Sequence, residues 1–274
     1  MTTKPPSTPD TPASGPDGRA RSMNSVLTTL RVFEQVSIHQ PVGVSELSRL
    51  TQIPKSSVQR CLVTLQQAGW LRVVDPRHAQ WGVTLKVLAL GLRGAGEQDL
   101  RDVASPVIKE LAGATSETVF LGLRDADRFV IVAREESSQM VRVHLDIGQE
   151  LPLRATSGGV AVMALLPLAE VEALLSTELG DFTESPVLTA DELRTELTLT
   201  AQRGYSMSMS AWYRPHVRSV GAAIVDATGA PVGAIVLSVP EQRWDSGHET
   251  ELANLTVRAA ARVSDLLSTG TSSS

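Results

Sequence analysis

Residues 53–70 constrain the fold of this chain more than any other stretch. Pro54 lacks a backbone N–H and has a fixed φ, which suits the first turn of a helix, and Gly69 is placed to end one. Between them Val58, Cys61, Leu62 and Leu65 recur at i, i+3, i+4 and i+7, one stripe that must be buried. Lys55, Ser56, Gln59, Arg60 and Val63 project elsewhere. The flanking sequence supplies what the stripe can pack against. Val26, Leu30, Val32, Phe33 and Val36 fall on a broad helical face, which Pro41 and Gly43 bring to an end. A second helix starts after Val44, with Ser45 as N-cap and Leu47 and Leu50 as apolar contacts, and Thr51-Gln52-Ile53 forms the turn. Two apolar runs, 70–74 and 81–85, follow on either side of Asp75-Pro76-Arg77-His78-Ala79-Gln80, a turn-rich hairpin tip. Helix, helix, turn, helix and hairpin is the order of a winged helix-turn-helix.

That order suits double-stranded DNA, whose major groove admits one α-helix. The exposed start of the third helix carries Lys55, Ser56, Ser57, Gln59 and Arg60. Arginine bonds guanine bidentately, glutamine bonds adenine, and serine suits phosphate oxygens. Arg77 at the wing tip, Arg21 before the first helix and Ser45 at the second complete the candidate contacts. Each residue taken singly reads equally well as solvated surface; the ordered set favours DNA.

The overall charge of −5 points the other way until it is divided. Residues 21–96 carry nine basic and three acidic side chains, a balance of +6, whereas 97–274 carry 14 basic and 25 acidic, a balance of −11. Residues 1–20 are neutral, hold five of the fifteen prolines and no apolar β-branched or aromatic residue, and are expected to be disordered. The single cysteine, Cys61, allows no intrachain disulfide and reads as a small core residue, with a redox role as the lesser alternative. No apolar run is long enough for a membrane helix, and the N-terminus has no apolar signal region, so a cytoplasmic protein without a membrane partner is expected.

The acidic part reads as an α+β domain around an antiparallel sheet. An amphipathic helix is expected over 97–114, strands over 118–124 and 128–134, and a third strand over 140–147, where Val141, Val143, Leu145 and Ile147 alternate with polar residues. Helices are expected over 156–166, 169–176 and 189–203. Tyr205, Met207 and Met209 alternate with serines as a strand. Strands over 217–225 and 231–239 flank the turn Asp226-Ala227-Thr228-Gly229-Ala230, and a last helix spans 245–267. Thr156-Ser157-Gly158-Gly159 opens a helix, so its N–H groups are placed to meet an anionic or carbonyl group; glycines that merely permit close packing are the alternative.

The whole stretch 22–268 resembles the IclR family of bacterial transcription regulators. The resemblance rests on Ser22-Met23-Asn24-Ser25-Val26, Val44-Ser45-Glu46-Leu47-Ser48, Ile53-Pro54-Lys55-Ser56-Ser57-Val58-Gln59-Arg60 and Leu65-Gln66-Gln67-Ala68-Gly69-Trp70-Leu71. In the acidic part it rests on Glu117-Thr118-Val119-Phe120-Leu121, Pro152-Leu153-Arg154-Ala155-Thr156-Ser157-Gly158-Gly159, Arg203-Gly204-Tyr205 and Val232-Gly233-Ala234-Ile235. It implies a winged helix-turn-helix over 21–84, a linker helix over 85–96 and a GAF-like effector-binding α+β domain over 97–268; composition sets off tails at 1–20 and 269–274. It further implies a homodimer or dimer of dimers that binds promoter DNA under control of a small metabolite, a carboxylate or an aromatic compound. Carried over residue by residue, the effector pocket falls on Gly158, Gly159, Ser208, Ser219 and Ser238.

Several residues depart from the family pattern. Val160 stands where lysine is frequent, Ser206-Met207-Ser208-Met209-Ser210 replaces an acidic cluster, Ser219 a cysteine and Val236 a serine. A less acidic, neutral pocket follows, with Trp212, Tyr213, Arg214 or His216 near its mouth. Arg214 is suited to pair a carboxylate; a core Trp212 and a solvated Arg214 fit equally well. No catalytic residue, metal site or cofactor is expected. H-E-x-x-H, G-x-S-x-G and P-loop motifs are missing, and the five histidines have no ligand spacing. Gly91-Leu92-Arg93-Gly94-Ala95-Gly96 has the wrong order for a dinucleotide fingerprint and reads as a hinge or helix end. A regulator controlled by a protein partner, or a GAF-type sensor without DNA, are the alternatives.

Overall fold

The computed structural model describes residues 22–94, 100–176, 188–209 and 215–270. The chain divides into two compact units, one through residue 95 and one from residue 96. Arg21, Trp212, Tyr213 and Arg214, together with most of the two expected tails, lie outside the described residues.

The first unit runs α1 (Asn24–His39), α2 (Val44–Thr51), α3 (Lys55–Gln67), β1 (Leu71–Asp75), β2 (Gln80–Val83) and α4 (Leu85–Gly94). The stripe Val58, Cys61, Leu62 and Leu65 is buried as its spacing requires, against Val32, Val36, Val42, Leu47, Leu71 and Trp81. Two details differ from the sequence expectation. Val26 and Leu30 are about half exposed, so only the Val32–Val36 end of the α1 face enters this core. Ser45 is not the cap of α2: the helix begins two residues earlier, at Val44 with Gly43 at the N-cap position, and Ser45 is an exposed first-turn residue.

The turn between α2 and α3 is closed by side chains. The Ser48 hydroxyl donates to the Ile53 carbonyl at 2.6 Å, and Gln52 takes a left-handed φ of 57°. At the far end of α3 Gly69 has φ +77°, a conformation glycine adopts without a Cβ penalty. Lys86 Nζ donates to the Ala68 carbonyl at 2.8 Å and lies 4.9 Å from the centre of the Trp70 ring, which fastens the start of α4 to the end of α3.

In the second unit a six-stranded antiparallel sheet takes the order β5-β4-β3-β8-β7-β6. Its strands are β3 (Thr118–Asp125), β4 (Arg128–Glu135), β5 (Glu150–Pro152), β6 (Ser206–Met209), β7 (Val217–Val225) and β8 (Pro231–Pro240). One face packs on α5 (Leu100–Thr115) and α9 (Glu249–Gly270), with Val119, Leu121, Ile235, Leu237 and Val239 turned towards them. The other face carries α6 (Ser157–Met163), α7 (Leu168–Ser176) and α8 (Ala190–Arg203), with Phe120, Phe129, Ile131, Ala234 and Val236 turned that way. Thr189 caps α8, and the Glu192 carboxyl, bonded by the Thr189 N–H and hydroxyl, is held below the usual carboxylate range.

The expected strand over 140–147 is not a strand. Its inward residues Val143 and Leu145 are buried and Met140, Val141 and Ile147 are exposed, but no ladder forms. β5 pairs with Arg128–Val130 of β4, and Ile131 exchanges hydrogen bonds with Gly148 and Gln149, after which the chain makes no ladder with the rest of β4. Side chains hold the segment instead. Arg134 Nη1 donates to the Leu145 carbonyl at 2.5 Å, and Arg243 Nη1 donates to the Val141 carbonyl at 2.7 Å. The last helix also departs from 245–267. Asp245 accepts from the Gly247 N–H and contacts the His248 ring in a turn that precedes it, and α9 runs on through residues 269 and 270, expected as tail.

Arg243 also donates twice to Glu117, Nε at 2.7 Å and Nη2 at 2.6 Å, and Glu117 is only 7 % exposed. Arg243→Met leaves that carboxylate buried without its cation, at a cost of about 3 kcal/mol. Urea unfolding should show this loss, and Glu117→Met added to Arg243→Met should recover most of it. The wing offers a pH test. Asp75 is bonded by the His78 ring at 2.6 Å and by the Arg77 N–H at 2.8 Å, so its carboxyl lies below the ordinary 3.8. A carboxyl with a depressed pKa in the folded chain stabilises the turn above the ordinary range and ceases to as pH falls through the lowered value. An NMR titration should place the Asp75 midpoint below 3.8 and move it up in His78→Ala.

Candidate nucleic-acid interface and ligand cavity

The burial of one α3 stripe defines the other. Ser56, Gln59, Arg60 and Val63 stand at i, i+3, i+4 and i+7 on the exposed side, with Lys55 exposed at the helix start. Ser57 is half-buried, between this face and the core. Arg77 is exposed in the turn between β1 and β2, whose shape Asp75 sets by bonding the two backbone N–H groups that follow Pro76. Ser45 is exposed in the first turn of α2. Within this unit the candidate DNA contacts other than Arg21 are therefore all wholly or partly accessible. Two further exposed residues adjoin them: Gln52, in the turn just before α3, and Val63, which puts a branched apolar group on an otherwise polar stripe.

The second unit holds a small cavity on the α6 side of its sheet, partly continuous with solvent. Strand pairing builds one wall. Ser208 on β6 lies opposite Ser219 on β7, Ser219 opposite Ser238 on β8, and Ser238 opposite Thr118 on β3. Residues opposite one another on paired strands share a face, so the three serines line the cavity in a row. Phe120, Phe129, Ile131 and Leu151 form the apolar side, and Val143 and Leu145 enter from the segment that side chains hold in place. Thr156 and Ser157 close the third side, where the Ser157 hydroxyl lies 2.9 Å from that of Ser219. Among the described residues, no charged side chain lines the cavity.

The two glycines carried over as pocket residues do something else. A Cβ on Gly158 would stand 2.4 Å from the Phe129 ring and 2.6 Å from a Val236 methyl; one on Gly159 would stand 1.8 Å from the Leu153 carbonyl oxygen. Gly158 lets α6 lie directly on the sheet, Gly159 lets it pass close to the turn that holds Leu153, and neither lines the cavity. The Gly159 N–H donates to the Thr156 hydroxyl at 3.0 Å, so it is occupied in capping its own helix. His216 is exposed, with Nδ1 3.5 Å from Glu241, and lies outside the lining, whereas its neighbour Val217 belongs to it. The apolar wall drawn from β3, β4 and β5 was not named from the sequence. Alternation within those strands is the signal that carried it: Phe120 and Phe129, and Ile131 two residues on, share one face.

Comparison with known proteins agrees with both halves. A family model described as the IclR helix-turn-helix domain matches residues 25–75, and one described as bacterial transcriptional regulator IclR C-terminal matches residues 93–265. The chain is 27 % identical to the HTH-type transcriptional regulator KdgR of Dickeya chrysanthemi, over 91 % of this chain and 81 % of that protein. It is 30 % identical to the HTH-type transcriptional repressor AllR of Escherichia coli K12, over 73 % of this chain and 74 % of the repressor. Its fold is similar to that of an IclR homolog from Microbacterium hydrocarbonoxydans solved in complex with 4-hydroxybenzoate, with a TM-score of 0.74 at 19 % identity, over 89 % of this chain and 98 % of that one. A DNA-reading unit followed by a cavity-bearing α+β unit, each matched in order, places the chain in the IclR family of DNA-binding bacterial transcriptional regulators.

Proposed function

We propose that the chain acts in the cytoplasm, as a homodimer, on the DNA of the promoters it controls, and that a small molecule in the second unit's cavity alters that binding rather than being turned over. The observation that carries the DNA part is the division of α3 into a fully buried stripe and an exposed one bearing Ser56, Gln59, Arg60 and Val63. A helix of this kind enters a major groove with its outward side chains against base edges. Arg60 and Gln59 are the base readers, Lys55, Ser56 and Ser57 engage the entry of the helix with the backbone, and Arg77 reaches phosphate from the wing. Two copies would read two half-sites, the arrangement that matches protein two-fold symmetry to a palindromic operator. The cavity supports the sensing part, and the 4-hydroxybenzoate complex of a protein with this fold adds to it. No helix among the described residues is long and apolar enough to cross a membrane, in keeping with action on DNA.

A shift assay on the chain's own upstream DNA tests this. Binding should weaken by orders of magnitude between about 50 and 200 mM salt, because each neutralised phosphate releases counterions. Arg60→Ala should relax discrimination at one base pair by about 1–3 kcal/mol. Arg77→Ala should weaken all sequences alike and flatten the salt slope by about one. Full sequence discrimination in the double variant Lys55→Ala, Arg60→Ala would remove α3 from the interface.

A further inference from the structure

The outward stripe of α3 is polar except at one place. Resting on the reading of that stripe as the surface that enters the major groove, we propose that Val63 is a specificity-determining residue: it reads the 5-methyl group of a thymine one or two base pairs beyond the pair read by Arg60.

Four of the apolar side chains of α3, Val58, Cys61, Leu62 and Leu65, are 8 % exposed or less and build the core of the first unit. Val63 is 37 % exposed and takes no part in that core. Every other exposed side chain of the helix is polar. A valine here brings the fold no gain. Its branched side chain is a weaker helix former than lysine, glutamine or arginine, and it leaves apolar surface in water. A partner that covers it reverses that balance.

The position specifies the partner. Val63 stands three residues after Arg60 and four after Gln59, so the three side chains share one face. Arginine and glutamine match the donors and acceptors of base edges. An isopropyl group matches neither, and pressed against a base nitrogen or oxygen it would displace water without replacing the hydrogen bond. The methyl group of thymine is the apolar feature that a base edge offers in the major groove. Three residues advance a helix by about 4.5 Å along its axis, and successive base pairs are about 3.4 Å apart. A thymine one or two steps from the pair read by Arg60 therefore lies opposite Val63.

Replacing thymine by uracil removes this methyl group and keeps every hydrogen-bonding atom. Selection from random duplex DNA with the full-length protein gives the half-site, and the pair whose preference Arg60→Ala relaxes marks the place of Arg60 in it. Thymines near that pair are then replaced singly by uracil, and binding is measured by shift assay. One replacement should weaken binding to the wild-type protein about fourfold, the worth of one buried methyl group. The same replacement should leave Val63→Ser unaffected, whereas Val63→Thr, which keeps one branch methyl, should still respond. Serine and valine differ little in helix propensity and Val63 lies outside the core, so Val63→Ser should keep the wild-type melting temperature. A half-site with no thymine within two base pairs of that marked pair would overturn the reading of Val63 and leave α3 in the groove. So would a uracil effect that is absent in the wild type or equally large in Val63→Ser. Sequence preference unchanged in both Arg60→Ala and Val63→Ser would overturn α3 as the reader and the inference with it.

Discussion

A strand in the middle of an antiparallel sheet covered on both sides has to satisfy two cores at once, and β8 does so by alternation alone. Ile235, Leu237 and Val239 meet α5 and α9, while Ala234 and Val236 meet the layer of α6 and its neighbours. Nothing on this strand can slip by one residue without exchanging the two sets. That register is what aligns Ser238 with Ser219 and Thr118, and so the hydroxyl row of the cavity is a by-product of the same pairing that builds the cores. Gly158 on α6 and Gly221 on β7 complete the constraint by letting the helix approach until the Ser157 hydroxyl lies within hydrogen-bond reach of that of Ser219.

The first unit solves a smaller problem with the same economy. One stripe of α3 is committed to its core, so the opposite stripe is free to be chosen for DNA. The charge of the chain is divided in the same sense. The +6 of residues 21–96 accompanies the helix-turn-helix unit, and the −11 of residues 97–274 accompanies the cavity. At physiological salt the field of a charge decays over roughly 8 Å, so this division acts on surfaces that come close to phosphate. A sensor surface with an acidic excess is disfavoured there, which leaves the basic unit to dock.

Periodicity was legible wherever packing alone decided the outcome. The α3 stripe, the β7–β8 hairpin around Asp226 and the helix expected over 189–203 follow from local chemistry, and the structure has them all. Expectation and structure part where a second element competes. Residues 140–147 alternate as a strand would, but they form no ladder and are held by the Arg134 and Arg243 side chains, which alternation does not reveal. Gly158 and Gly159 read as ligand contacts because a glycine shows only what it permits; the Phe129 ring and Leu153 carbonyl that need the space come from other strands and turns. Ser45 and Asp245 have capping chemistry, yet Gly43 holds the cap position of α2, and Asp245 closes the turn before α9.

The charged groups of the second unit bear on its cavity from behind one wall. The ions that fix the cavity's movable-looking wall sit behind it. Arg134 bonds the Leu145 carbonyl and pairs with Glu136 at 3.1 Å, and Arg243 bonds Glu117 and the Val141 carbonyl. These contacts hold Val143 and Leu145 in place from the outside, so none of them depends on what fills the space within. Inside, the wall offers hydroxyls, whose burial costs about 1–3 kcal/mol when unpaired, a penalty that one hydrogen bond from a ligand offsets. A buried ion would have to be matched by an opposite charge or destabilise the sheet that carries it. The wall is therefore held by charged groups outside the cavity, while the hydroxyl row inside it is set by strand register.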